Sequence, residues 1–228
     1  MGSPRWPESR TDLLAEQERL GRLRPPPWNP EGPWEAGGCF ACGERGRRGA
    51  GQAGERVWAA AVLWRPGWVV QAVVEGSAGA AYEPGFLALR EGPLLEAAVR
   101  ALPRLPQVLL VDATGRDHPR RAGLALHLGA VLGIPTVGVT DRPLVAVGPL
   151  PEDRRGARSP LFLEGELVGY WVRTRAGVRP VCAHAAWRTD PEVAALVVLR
   201  LVTRHRTPEP LRAACAAARA ARARSLPP

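Results

Sequence analysis

Two acidic residues stand where metal or acid–base chemistry would be sought first. Asp112 closes the apolar run VLLV at 108–111 and opens the turn ATGRDHPRR at 113–121. A carboxylate at the carboxyl end of a buried strand lies where open α/β sheets gather their ligands. Gly115 permits close backbone approach there, and His118, Arg120 and Arg121 add donors near a helix start. Glu91 follows Arg90 on a helical segment that begins after Tyr82-Glu83-Pro84-Gly85. Spacing alone does not join Glu91 to Asp112, and an isolated helix Glu is more often solvated or salt-bridged. Cys39-x-x-Cys42 and Cys182-x-His184 offer four zinc-type ligands. Strand alternation would point Cys39 and Cys42 to opposite faces, so zinc is not expected. Cys215, in an Ala-rich final helix, reads as a small buried hydrophobe, His127 as core-facing and His205 as exposed.

These groups need a scaffold, and the sequence predicts an α/β one. An amphipathic helix at 8–23 is stopped by Pro25-Pro26-Pro27. Strands at 57–64 and 68–74 flank the turn Arg65-Pro66-Gly67. Helical pieces at 85–101, broken near Gly92-Pro93, precede a strand at 108–112, a helix at 119–132 and a strand at 136–139, a pattern of parallel βαβ type. Strands at 161–163, 167–173 and 178–182 and helices at 191–203 and 208–223 complete the chain. Trp6, Trp28 and Trp34 would staple the N-terminal arm to the rest. With no repeat and no linker, residues 1–228 are expected to form a single domain. It would comprise an N-terminal helix and Pro-rich arm (1–30), a flexible cationic Gly/Arg loop (43–55) and a basic C-terminal helix end (213–228).

Composition sets further bounds. In 228 residues, 46% are hydrophobic and 23% charged, enough to bury a core. No apolar run reaches the ~18–20 residues of a membrane span, and the first 20 residues lack a secretory signal's apolar stretch. Four cysteines make no disulfide scaffold, so a cytoplasmic, monomeric protein with reduced thiols is expected. The net charge of +9 rests on 31 basic residues that are all arginine. Isoleucine occurs once, as does asparagine, a bias typical of GC-rich coding. Basicity alone is therefore a weak pointer to nucleic acid.

Read together, three runs resemble the endonuclease V family: YEPGFLALREGP at 82–93, VDATGRDHPRRAGLALHLG at 111–129 and GIPTVGV at 133–139. LPEDRR at 150–155, VRTRAG at 172–177 and RTPEPLR at 206–212 fit in the same order. The resemblance implies an RNase H-like mixed sheet flanked by helices, and Mg²⁺- or Mn²⁺-dependent cleavage of DNA or RNA near deoxyinosine or inosine. It implies that Glu91 and Asp112 are catalytic metal ligands, since magnesium takes oxygen donors. Tyr82 would be the wedge that fills the gap left by an everted base, a device that offsets lost stacking. Pro84, Gly85 and Leu87 would line the base pocket. The resemblance also marks three departures. Cys39 stands in the AGGC segment at 36–39 where the family has a metal-binding Asp. Asp141 stands for a Lys, and Trp187 for a His.

Cysteine is a soft ligand poorly matched to magnesium, and an Asp in place of a Lys reverses a charge beside phosphate. One reading is therefore an endonuclease V-like protein with its nuclease activity lost or strongly reduced, retained as a nucleic-acid binder. A second is a repurposed enzyme with Cys39 as nucleophile, grouped with Glu91, Asp112, His118 and Asp141, acting on a small-molecule or acyl substrate without a cofactor. A third is a working inosine-specific endonuclease.

Overall fold

A computed structural model describes residues 6–44 and 51–225. Ser9 Oγ accepts the Asp12 amide at 3.1 Å and starts α1 (Arg10–Arg22), which buries Leu13 and Leu20. Alternating and continuous apolar runs then build an antiparallel meander of β1 (Ala36–Gly43), β2 (Arg56–Arg65) and β3 (Trp68–Ser77). Next come α2 (Leu87–Arg100), β4 (Val108–Val111), α3 (Leu124–Leu132) and β5 (Thr136–Thr140), with β4 parallel to both β1 and β5. An antiparallel set of β6 (Arg158–Leu163), β7 (Glu166–Val172) and β8 (Val181–Ala185) follows, and α4 (Pro191–Arg200) and α5 (Glu209–Ser225) close the chain.

The eight strands form one mixed sheet in the order β3-β2-β1-β4-β5-β8-β7-β6, as the resemblance implies. One face is covered by α1, α2 and α3, with Leu95, Leu126 and Val111 among the buried contacts. On the other face, Val197 and Val198 of α4 pack on Val137 and Val139, and Ala217 and Ala218 of α5 on Ala60. The arm is stapled as expected: Trp6 stacks on the buried His127 at 4.4 Å and donates to Glu96, while Trp28 meets Trp34 edge-on at 5.5 Å. No helix among the described residues is long and apolar enough to cross a membrane.

Four local expectations change. Helix α2 runs unbroken through Pro93, because its apolar face of Ala88, Leu95, Ala98 and Val99 is buried throughout. The Gly79 amide also donates to the Arg90 carbonyl at 3.1 Å, so a neighbouring segment covers the backbone near the proline. Helix α3 begins five residues later than predicted, since Arg121 takes a left-handed φ of 57° and Gly123 is extended. Strand β8 starts at 181 instead of 178. The carbonyls of Val178, Arg179 and Pro180 are occupied by the Arg173 and Arg206 guanidiniums and are unavailable to a ladder. In the cationic stretch, 45–50 lies outside the described residues and 51–55 is anchored. Glu55 there is buried against Arg90, which also donates to the Gln52 and Ala80 carbonyls.

The glycines of β1 allow close packing against the neighbouring segments. A Cβ at Gly38 would collide with the Pro210 backbone, where α5 begins, and one at Gly37 would press on Pro106. Overpacking of this kind costs about 1–3 kcal/mol. Gly38→Ala is therefore expected to lower the urea midpoint with the slope unchanged, the loss coming from displacement of α5 away from β1.

Candidate active site

The end of β4 and the first turns of α2 meet on one wall of a cavity of about 370 Å³. Its lining includes both Glu91 and Asp112, together with Tyr82, Pro84, Gly85 and Leu87. Gly85 has φ 83°, a left-handed turn that suits glycine and brings the backbone round the cavity rim. Tyr82 is 48% exposed at the mouth, its amide donating to the Gly51 carbonyl at 2.7 Å. Burial pushes the Glu91 carboxyl up to about 7, against the pull of Arg90 and with help from the charge of Asp112. Burial likewise pushes Asp112 up to about 6, assisted by Asp141 and opposed by Arg219. Both carboxyls are raised from their ordinary range, Glu91 more than Asp112, as is common for acids at functional sites.

His118 supports this cavity as a neutral imidazole. Its Nε2 lies 3.0 Å from the Gly85 carbonyl and its Nδ1 accepts the Arg120 amide at 3.2 Å, so the proton belongs on Nε2. Burial pushes its pKa down to about 4. Gln17 donates to the same Gly85 carbonyl at 2.9 Å and accepts from Arg120 Nε at 2.7 Å. Arg120 also stacks over Phe86 at 5.0 Å, so it braces the pocket segment and lines neither cavity described here.

The remaining predicted residues divide. Cys39 lies beside the acidic pair but is fully buried in the core, its thiol raised by burial and by the charges of Asp112 and Glu91. Asp141 is exposed and bound to Arg206 at 2.5 Å. Gly115 serves the sheet instead of a ligand: a Cβ there would strike the Ala185 carbonyl, which accepts from the Arg116 amide. Trp187, which stands where the resemblance implies a His, packs against the α1–α3 core, contacts Gly129 and lines neither cavity. Cys39, Cys42 and Cys182 fall in three separate packing clusters, so the four zinc-type ligands are not brought together.

Two features escaped the sequence reading. A second cavity of about 660 Å³ lies on the other side of Asp112, sharing Asp112 and Thr140 with the first. Cys215 lines it and is only partly buried, so it is not the core residue its Ala-rich helix suggested. Behind both cavities, the fully buried Asp117 accepts the amides of Leu144, Val145 and Ala146 at 2.7, 2.9 and 2.7 Å. His184 sits 3.6 Å from Asp117 and contacts Thr140 Oγ1 at 2.7 Å, and that hydroxyl donates to the Arg142 carbonyl at 2.7 Å. The network holds the 142–146 segment, part of which lines the first cavity. Its only sequence signal was an acid directly before His118.

The donor set does not suit a tightly held magnesium ion. Among the described residues, no three His, Cys, Asp or Glu side chains are grouped to hold a metal. Glu91 and Asp112 provide two carboxylates, and the position expected to supply a third offers a buried, protonated thiol.

Two outcomes follow from these groups. Between pH ~4 and ~7 the folded chain binds more protons at Glu91 and Asp112 than the unfolded chain does, so their contribution to stability falls as pH rises. In EDTA, Glu91→Gln is expected to raise stability by about 2 kcal/mol at pH ~8 and to have no effect below pH ~4, read by thermal melts across pH. Asp117→Ala strands three amides and should cost about 3 kcal/mol, with hydrogen-exchange protection lost first at residues 144–146.

Comparison with known proteins accounts for this arrangement. Residues 48–216 match the family described as Endonuclease V. The Endonuclease V of Methanopyrus kandleri is 47% identical over 165 residues, 71% of each chain, and that of a Roseiflexus species 44% identical over 137 residues, 60% of this chain and 62% of that one. The crystal structure of Endonuclease V from Streptomyces avermitilis superposes with a TM-score of 0.85 at 34% identity, covering 96% of both chains. Ciona intestinalis Endonuclease V in complex with a 24mer DNA containing an inosine followed by a ribo-adenosine aligns with a TM-score of 0.78 at 22% identity, over 94% of this chain and 97% of that one. The match over residues 48–216, carried on this sheet and these cavities, makes the chain a member of the Endonuclease V family.

Proposed function

We propose that this protein binds inosine- or deoxyinosine-containing strands through the first cavity and cleaves them weakly or not at all. The observation that carries this reading is the lopsided state of the site. The base-pocket side keeps Tyr82, Pro84, Gly85 and Leu87 around a cavity of about 370 Å³, a size that accepts a single base. The hydrolytic side keeps Glu91 and Asp112 but has a neutral thiol and an acid, Asp141, where the family resemblance implies a ligand and a cation.

The chain's own residues would then act as follows. Tyr82 at the cavity mouth fills the space of the extruded base, and the Gly85 turn lets the backbone meet the base edge. Neutral His118 and Gln17 fix that turn through the Gly85 carbonyl. Glu91 and Asp112 would supply the two carboxylates that hold a metal, and its positive charge would favour their ionised forms. The rival reading, in which Cys39 attacks a substrate, loses support from its burial. A nucleophilic thiol needs access and a lowered pKa, and Cys39 has neither.

The test is direct. With Mg²⁺ or Mn²⁺ and a deoxyinosine oligonucleotide, the protein is expected to bind in preference to a deoxyadenosine control while leaving the strand intact; robust cleavage would overturn the reading. Because Trp187 lines neither cavity, Cys39→Asp with Asp141→Lys should suffice to restore measurable cleavage, with no change needed at 187. Removing one electrostatic stabiliser from such sites costs about 10²–10³ in rate, so a gain of at least that order is expected.

A further inference from the structure

The second cavity lies between β1, β5 and α5, and its wall is rich in arginine. Arg206, Arg212 and Arg219 face the same space as Asp112 and Asp141. Arg206 is already committed, to Asp141 at 2.5 Å and to the Arg179 and Pro180 carbonyls. The other two are not. Arg212 reaches Glu209 only at 3.6 Å, and that carboxylate also accepts from Thr203 at 2.6 Å and contacts His205 at 2.9 Å. Arg219 has no ion pair among the described residues; its guanidinium lies 5.7 Å from the Phe40 ring centroid. Both are exposed on α5.

From this we infer that the second cavity is a phosphate-binding site, in which Arg212 and Arg219 contact the backbone of the strand whose base occupies the first cavity. The inference rests on the strand-binding reading above and adds residues and a path to it. Two structural points favour a strand over a small anion. The cavities share Asp112 and Thr140, so a backbone leaving the first passes directly into the second. Seven residues separate the two arginines, two helical turns or ~10 Å along α5, so each meets a different phosphate. Neutralisation of Asp141 by Arg206 matters here as well, because it removes one of the two negative charges that would repel an entering phosphate. Arginine is suited to the role: its planar fork donates to two phosphate oxygens at once.

The experiment measures binding of a single-stranded deoxyinosine oligonucleotide in EDTA by fluorescence anisotropy across a salt series. Arg219→Gln and Arg212→Gln are each expected to weaken binding several-fold and to flatten the slope of log K against log salt by about 0.7, the value for one phosphate contact on a single strand. A second series replaces single linkages beside the deoxyinosine with neutral methylphosphonates. One such linkage should cost the unaltered protein several-fold in affinity and cost Arg219→Gln nothing more. An unchanged slope in both variants, or a neutral linkage equally costly with and without Arg219, would overturn the inference. The base-pocket reading is scored separately, by preference for deoxyinosine over deoxyadenosine, while the arginine effect is read with either oligonucleotide. Failure of the unaltered protein to bind either would overturn both.

Discussion

A carboxylate withdrawn from water prefers its proton, and two such groups placed near each other prefer it more. Glu91 is enclosed in this way, its side chain 19% exposed, while Asp112 stands beside it at the open end of its strand, and the surrounding architecture holds the two together. Strand β4 ends at Val111, so Asp112 emerges at the rim of the sheet. Helix α2 is continuous through Pro93, and Glu91 on its first turns faces the same space. Buried His118 and Gln17, with the half-buried Arg120, brace the adjacent turn through the Gly85 carbonyl and each other.

Charge around this pair is distributed unusually. Arg90 is shared between Glu55 and Glu91, so it cannot fully hold Glu91 ionised. Asp141 adds negative charge on the far side of Asp112 and is itself neutralised by Arg206. The cation acting on Asp112 is Arg219, from the last helix. Positive potential therefore comes from α5 and not from the strand position where the family resemblance implies a lysine.

Most of the strands and the parallel pair β4–β5 were legible in the sequence, and the family resemblance brought Glu91 and Asp112 together. Long apolar runs and the strand-end acid report the first two, and the YEPGF, HPR and PEP segments carry the resemblance. What stayed hidden depends on distance. Arg121 ends one conformation and starts another through a single left-handed residue, which no periodicity reveals. The carbonyls of 178–180 are taken by arginine side chains remote in sequence. Cys215 looked like core because its helix is rich in alanine, yet it lies on the face turned to a cavity. Trp187 stands where the family resemblance implies a His, and the fold uses it for packing. Asp117 gave only a faint signal, since its three amide partners lie 27–29 residues onward.

The contact of Gly38 with the start of α5 bears on how this scaffold can change. Because two backbones touch there, the separation between β1 and α5 is fixed by atoms that every residue shares. The scaffold thus separates what the site is made of from where its parts stand. A change of side chain in the site therefore leaves the spacing of β1 and α5, and with it the wall of the second cavity, in place.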